Sequence, residues 1–222
     1  MKRRLFDKLL VLFVSLLIIV VLSPFLLGDI LGQTILYVMA VLACIATVYG
    51  LRLGKRAVLL TLFLGVLSAV LGVVSILSEG MLLDALSVLS SAVFYGFLIG
   101  LLIRYIVGAE EVTADILYGS ICVYLLIGIV FAMIYRFVDI LNPAAFSLGG
   151  GSMALSAPEP GDYTYYSFVT LTTLGYGDIQ PVSGYAKTFA FLEAITGTLY
   201  VAILISRLVS LYITHSIMKK KK

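Results

Sequence analysis

Charge is what this chain has least of. Of its 222 residues only 12% are Asp, Glu, Lys or Arg, about half of what a soluble domain carries. So few charges cannot cover a water-exposed globule, and 62% of the chain is apolar. A soluble fold is excluded and an integral membrane protein is expected. Histidine is nearly absent as well. His215 stands alone near the C-terminus, which leaves nothing from which to build a histidine-based catalytic constellation. The two cysteines, Cys44 and Cys122, fall inside apolar runs and have no partner at metal-ligand spacing, so zinc and redox chemistry are not expected. Neither a cofactor nor an enzymatic activity is expected.

What is present in quantity is long apolar runs. A helix needs about 20 mostly apolar residues to cross a hydrocarbon core roughly 30 Å thick. Six runs meet this, at 9–27, 32–50, 57–78, 82–106, 115–139 and 188–214. The segment from Asn142 to Pro181 is too polar for a seventh. The first run follows Met1-Lys2-Arg3-Arg4 as a signal peptide would. It reads as a retained span, because it exceeds a signal core in length and no small-x-small cleavage site follows it. If six helices alternate, Lys2, Arg3, Arg4, Lys8, Arg52, Lys55, Arg56, Arg104, Arg207 and the terminal lysines share one side, and Arg136 and Lys187 lie on the other. Basic residues accumulate on the cytoplasmic face, so both termini are expected there, in a multi-pass plasma-membrane protein. Lys219, Lys220, Lys221 and Lys222 read either as a solvated stop signal or as a contact for anionic lipid headgroups.

Past the polar segment runs Asp162-Tyr163-Thr164-Tyr165-Tyr166-Ser167-Phe168-Val169-Thr170-Leu171-Thr172-Thr173-Leu174-Gly175-Tyr176-Gly177-Asp178. A cation leaving water for a narrow pore must find oxygens in place of its hydration shell. Backbone carbonyls supply them only if successive residues all point them inward, which demands alternating right- and left-handed conformations. Glycine reaches the left-handed ones without a Cβ penalty, and Gly175 and Gly177 are spaced for that work. Unpaired backbone at membrane depth must also be buried in protein or line water.

At these residues the chain resembles the tetrameric potassium channels, above all the six-transmembrane, single-pore prokaryotic kind, over roughly residues 114–214. The resemblance implies an ion-binding filter of Thr173, Leu174, Gly175, Tyr176 and Gly177, with K+ held at the carbonyls of Thr173, Leu174, Gly175 and Tyr176 and at the Thr173 hydroxyl. It implies a pore helix over 163–173 before the filter and a homotetramer, since one chain supplies one strand of the ring. Tyr165 stands where similar channels carry an aromatic residue that hydrogen-bonds the aspartate after the filter, here Asp178. Tyr165, Tyr166, Phe168 and Tyr176 suggest an aromatic cuff. Val169 stands where some relatives place a buried acid, and Leu174 replaces the more frequent Val. Asp162 reads as the N-cap of the pore helix or as an ordinary linker acid. Gly197 lies at the offset of a hinge glycine in the pore-lining helix, though small residues in membranes are also packing contacts. Val201, Ile205 and Val209 recur every four residues and read as a gate ring or as lipid-facing and core residues.

Glu193 is the sharpest outlier, because an acid inside a span is costly and by default functional or paired. It is expected to brace the pore helix through Thr170 or Thr172. Arg136 and Asp139 read as a local pair, and Arg207 as snorkelling or pairing with Glu110 or Glu111. Among the first four runs the fourth lacks the ladder of basic residues that a voltage sensor needs, having Arg104 alone. Gly96 and Gly100 there form a small-residue face suited to helix packing.

The expected fold is thus an all-α membrane protein of six helices per subunit, with a re-entrant pore helix and filter loop between the fifth and sixth. It divides into a four-helix region over 1–106, a linker over 107–114, a pore domain over 115–215 with its inner helix at 188–214, and a basic tail over 216–222, with no further ligand-binding domain. The expected function is passive, potassium-selective conduction without steep voltage gating. The rivals are a nonselective cation channel on the same scaffold and a secondary transporter, whose paired broken helices this chain does not repeat.

Overall fold

The computed structural model describes residues 8–26, 30–50, 54–78, 80–149 and 158–220. Of the expected cytoplasmic basic residues, Lys2, Arg3, Arg4, Arg52, Lys221 and Lys222 lie outside the described residues, as do the side chains of Lys8, Lys219 and Lys220.

The apolar runs fold as helices, because in lipid every backbone polar group must be satisfied within the segment. In order they are α1 (Lys8–Leu26), α2 (Ile30–Gly50), α3 (Lys55–Ser78), α4 (Met81–Val107), α5 (Ala114–Leu141), the short α6 (Pro160–Leu171) and the long α7 (Gly184–Lys220). Among the described residues, α3, α4, α5 and the Gly184–Ser210 part of α7 are each long and apolar enough to cross a membrane. At 37 residues and 1.5 Å per residue, α7 is about 55 Å long, well beyond the bilayer core.

The buried core gathers on α5. Both α1 and α4 pack against it within the same chain, and Leu9, Leu12, Leu16, Leu98, Leu102, Cys122, Val123 and Leu126 belong to one buried cluster. Hydroxyls supply the polar glue that lipid does not weaken: Ser68 of α3 and Ser91 of α4 lie 2.8 Å apart and buried. The Gly96/Gly100 face is not used in this packing. A Cβ at either position would meet nothing within 4 Å, so the expected helix contact is absent within the chain.

Two strands, β1 (Phe146–Leu148) and β2 (Ile179–Pro181), pair antiparallel with Ser147 opposite Gln180. The sequence reading assigned no strand here. The ribbon fastens the segment after α5 to the segment after Gly177, and so fixes both ends of the stretch that holds α6.

Candidate functional site

The site is built where α6 stops. Its start is set by Pro160, whose fixed φ suits the first helical position. Glu159, not Asp162, is the N-cap residue. Asp162 sits one turn inside and accepts the Glu159 N–H at 2.8 Å; it still offsets the positive helix end, from the third position.

At the other end Thr172 closes the helix and Thr173 turns left-handed, at φ +59°. Thr173 N–H donates to Thr170 O and Leu174 N–H to Val169 O, both at 2.9 Å. These two bonds define a Schellman stop, which ordinarily places glycine at the left-handed position. A β-branched residue there costs roughly 1–2 kcal/mol. The backbone then alternates in hand: φ is positive at Thr173, Gly175 and Gly177 and not at Leu174 or Tyr176. The two glycines are where the sequence anticipates left-handed residues; Thr173 is not, because nothing in its composition announces the role.

Around this segment four side chains act as ties. The Tyr165 hydroxyl donates to Asp178 Oδ2 at 2.6 Å, and the Ile179 N–H donates to Asp178 Oδ1 at 3.0 Å. Gln180 Nε2 donates to the Gly177 carbonyl at 3.0 Å. Tyr124 of α5 donates to the Leu171 carbonyl at 3.3 Å. Sequence reasoning missed Gln180 and Tyr124, since neither residue type stands out at its position.

The Tyr165 bond, ahead of the backbone N–H groups, holds the Asp178 carboxyl below its ordinary value. A carboxyl with a depressed folded pKa stabilises above its unfolded pKa, about 3.9, and loses that contribution as pH falls through the folded value. The Tyr165–Asp178 tie therefore persists through neutral and mildly acid pH. In Tyr165→Phe, Asp178 should titrate higher, and the acid limit of any current should move up with it. NMR titration of the Asp178 carboxyl checks this; an unchanged titration would show that the hydroxyl contributes nothing.

The aromatic cuff divides in two. Tyr166 is buried and meets Tyr135 and Phe146 edge to face, with ring centroids 4.9 and 5.3 Å away, and Tyr163 joins Phe146 at 5.8 Å. Phe168 leans on Gly128, where an added Cβ would come within 2.9 Å of its ring. Tyr165 and Tyr176 do not join them; they are 40% and 67% exposed beside the turn. The buried cuff thus draws on α5 and β1, which sequence proximity to the turn does not reveal.

Glu193 is fully buried, and its contacts differ from those expected. Tyr135 of α5 donates to Oε2, and Ser167 of α6 lies 2.5 Å from Oε1. Neither Thr170 nor Thr172 takes part: Thr172 donates to the Phe168 carbonyl at 2.7 Å within its own helix, and Thr170 offers its carbonyl to Thr173. Arg136 pairs with Asp84 of α4 rather than Asp139. Asp139 instead accepts the Tyr163 hydroxyl at 2.7 Å and the Ala145 N–H at 3.0 Å. Arg207 donates to the carbonyls of Ile106 and Val107, at 2.8 and 2.6 Å, because the last carbonyls of α4 need donors and attract a cation.

At Gly197, α7 runs unbroken, and an added Cβ would lie 2.3 Å from the Leu171 carbonyl oxygen. The glycine marks the close approach of α7 to the end of α6. Val201, Ile205 and Val209 are 41%, 56% and 51% exposed, on a side of α7 that its own chain leaves open.

A family described as ion channel matches residues 120–214, which takes in most of α5, all of α6, the alternating segment and most of α7. The chain is 30% identical over 122 residues to Protein LctB of Bacillus caldotenax, covering 54% of this chain and 89% of that one. It is 27% identical over 124 residues to Protein LctB of Geobacillus stearothermophilus, with the same coverage. No solved structure matches it significantly. The matched span coincides with the helices and the alternating turn described above, and the chain belongs to a potassium-channel-like family of ion channels.

Proposed function

We propose that the chain is one subunit of a homotetrameric, potassium-selective channel of the plasma membrane that passes K+ down its gradient and catalyses no reaction. The observation that carries this reading is the alternation of backbone hand at Thr173, Gly175 and Gly177, directly after the stop of α6. With every second residue left-handed, consecutive carbonyls can turn to one side, and four such strands on one axis form stacked oxygen rings. The carbonyls of Thr173, Leu174, Gly175 and Tyr176, with the Thr173 hydroxyl, bind the ion. Only its carbonyl is asked of Leu174, so its side chain does not enter selectivity.

In this reading α6 is the pore helix, and its C-terminal end, equivalent to about half a negative charge, faces the cavity below the filter. Tyr165 and Tyr176, exposed on one chain, meet a neighbouring subunit, and α7 lines the inner pore with Val201, Ile205 and Val209. The chain divides into a four-helix region at 1–106, a linker at 107–114, a pore domain at 115–215 and a basic tail at 216–222. Six spans with both termini cytoplasmic follow from the asymmetry of Lys and Arg, and the tail lysines, Lys219 to Lys222, suit anionic lipid. With Arg104 alone on α4, gating is not steeply voltage-dependent.

The test is the reversal potential of the purified protein in planar bilayers under opposed potassium and sodium gradients. A reversal near the potassium equilibrium potential is expected. A reversal near zero would replace this reading with a nonselective cation channel, and coupled flux without channel currents would replace it with a transporter.

A further inference from the structure

Glu193, Ser167, Tyr135 and the Gly128 carbonyl form a closed cluster that ties α7, α6 and α5 together. Its hydrogen atoms can be counted. Three contacts are of hydrogen-bond length: Tyr135 hydroxyl to Glu193 Oε2, Ser167 Oγ to Glu193 Oε1 at 2.5 Å, and Ser167 Oγ to Gly128 O at 2.7 Å. Each contact needs one proton. Tyr135 supplies one and Ser167 supplies one, because a hydroxyl carries a single donor. Gly128 O is a carbonyl and can only accept, so the Ser167 proton belongs to it. The contact between Ser167 Oγ and Glu193 Oε1 then has no proton unless the carboxyl brings it.

The surroundings point the same way. Glu193 and Ser167 are both 0% exposed, and among the described residues no basic side chain lies within ion-pair distance of Glu193. The other titratable groups that sense it are the phenols of Tyr135 and Tyr124 on α5 and Tyr166 on α6, none of which offers a positive charge. An ionised carboxylate without a cation at membrane depth is costly, whereas a neutral acid with both oxygens hydrogen-bonded is satisfied.

We propose that Glu193 is a neutral carboxylic acid whose Oε1–H donates to Ser167, freeing the Ser167 hydroxyl to hold the Gly128 carbonyl, and that this proton positions α6. Glu193 is a positioning residue here, acting on the filter only through α6. That last consequence rests on the channel reading; the protonation state does not.

The experiment is infrared spectroscopy of the purified protein at neutral pH, beside Glu193→Gln, Glu193→Ala and Ser167→Ala. A carboxylic-acid carbonyl band is expected in the native chain and should vanish in Glu193→Gln. The amide keeps one N–H for Ser167 and its carbonyl for Tyr135, and adds a second N–H, so Glu193→Gln should keep the native current to within about twofold, while Glu193→Ala and Ser167→Ala lose at least about tenfold. If Glu193→Gln does not fold, Tyr135→Phe serves instead. It removes the bond to the acid carbonyl and should move the band to higher frequency, whereas a carboxylate has no such band to move. Absence of any Glu193-dependent acid band would show an ionised carboxylate and overturn the proposal. The band without potassium current in any preparation would uphold the neutral acid and overturn the channel reading instead.

Discussion

Replacing Gly197 by alanine should unfold the contact between α7 and α6. The added Cβ would sit 2.3 Å from the Leu171 carbonyl oxygen and 2.9 Å from Leu171 Cδ1. The side-chain carbon can rotate away, but the oxygen is backbone, and the Tyr124 hydroxyl already holds it. Relief therefore requires moving the end of α6, the segment from which the alternating turn departs. Overpacking of this kind costs about 3 kcal/mol or more, which for a chain of this size lowers the thermal midpoint by about 10 °C. A hinge reading of Gly197 predicts the opposite sign. Alanine in place of a hinge glycine would leave the resting structure intact and favour the helix by about 1 kcal/mol. The melting temperature of Gly197→Ala in detergent decides between them: a value at or above that of the native chain would restore the hinge.

The same residue illustrates what a sequence can and cannot disclose. Gly197 is visible as an interruption in an apolar run, but whether it bends or packs depends on a carbonyl 26 positions earlier in the chain. The runs that become α3, α4, α5 and α7 are legible because lipid leaves a polar backbone no alternative to the helix. Glu193 is legible as an outlier, since its cost in a span is intrinsic. Its partners are not, for Tyr135 and Ser167 lie 58 and 26 residues away and only the crossing of three helices brings them together. Spacing along one helix suggested Arg136 with Asp139; packing gave Arg136 to Asp84, 52 residues distant. The β1–β2 ribbon was hidden for a related reason. Three-residue strands carry too little periodicity to read, and their pairing depends on α6 returning the chain to where α5 left it.

Gly175→Ala should remove potassium conduction while leaving the helices in place. Nothing lies within 4 Å of a Cβ built at Gly175, whose φ is +60°, so within the chain the substitution meets no clash. Its cost is conformational: an L residue in the left-handed region is disfavoured by roughly 1–2 kcal/mol. The strand escapes that cost by rotating the peptide between Leu174 and Gly175, which turns the Leu174 carbonyl away from its neighbours and breaks the alternation. In the proposed four-fold ring the cost is incurred on every strand, about 4–8 kcal/mol in all, and half of it corresponds to a roughly 30- to 700-fold loss of the conducting form. Gly54→Ala is the control. Gly54 has φ +90° and equally open surroundings, so it carries the same kind of strain at the start of α3, away from the turn. It should lower stability slightly and leave the reversal potential unchanged. Should Gly175→Ala conduct with the reversal potential of the native chain, the carbonyls of this segment would not be the ion's ligands, and the alternation of hand would need another explanation.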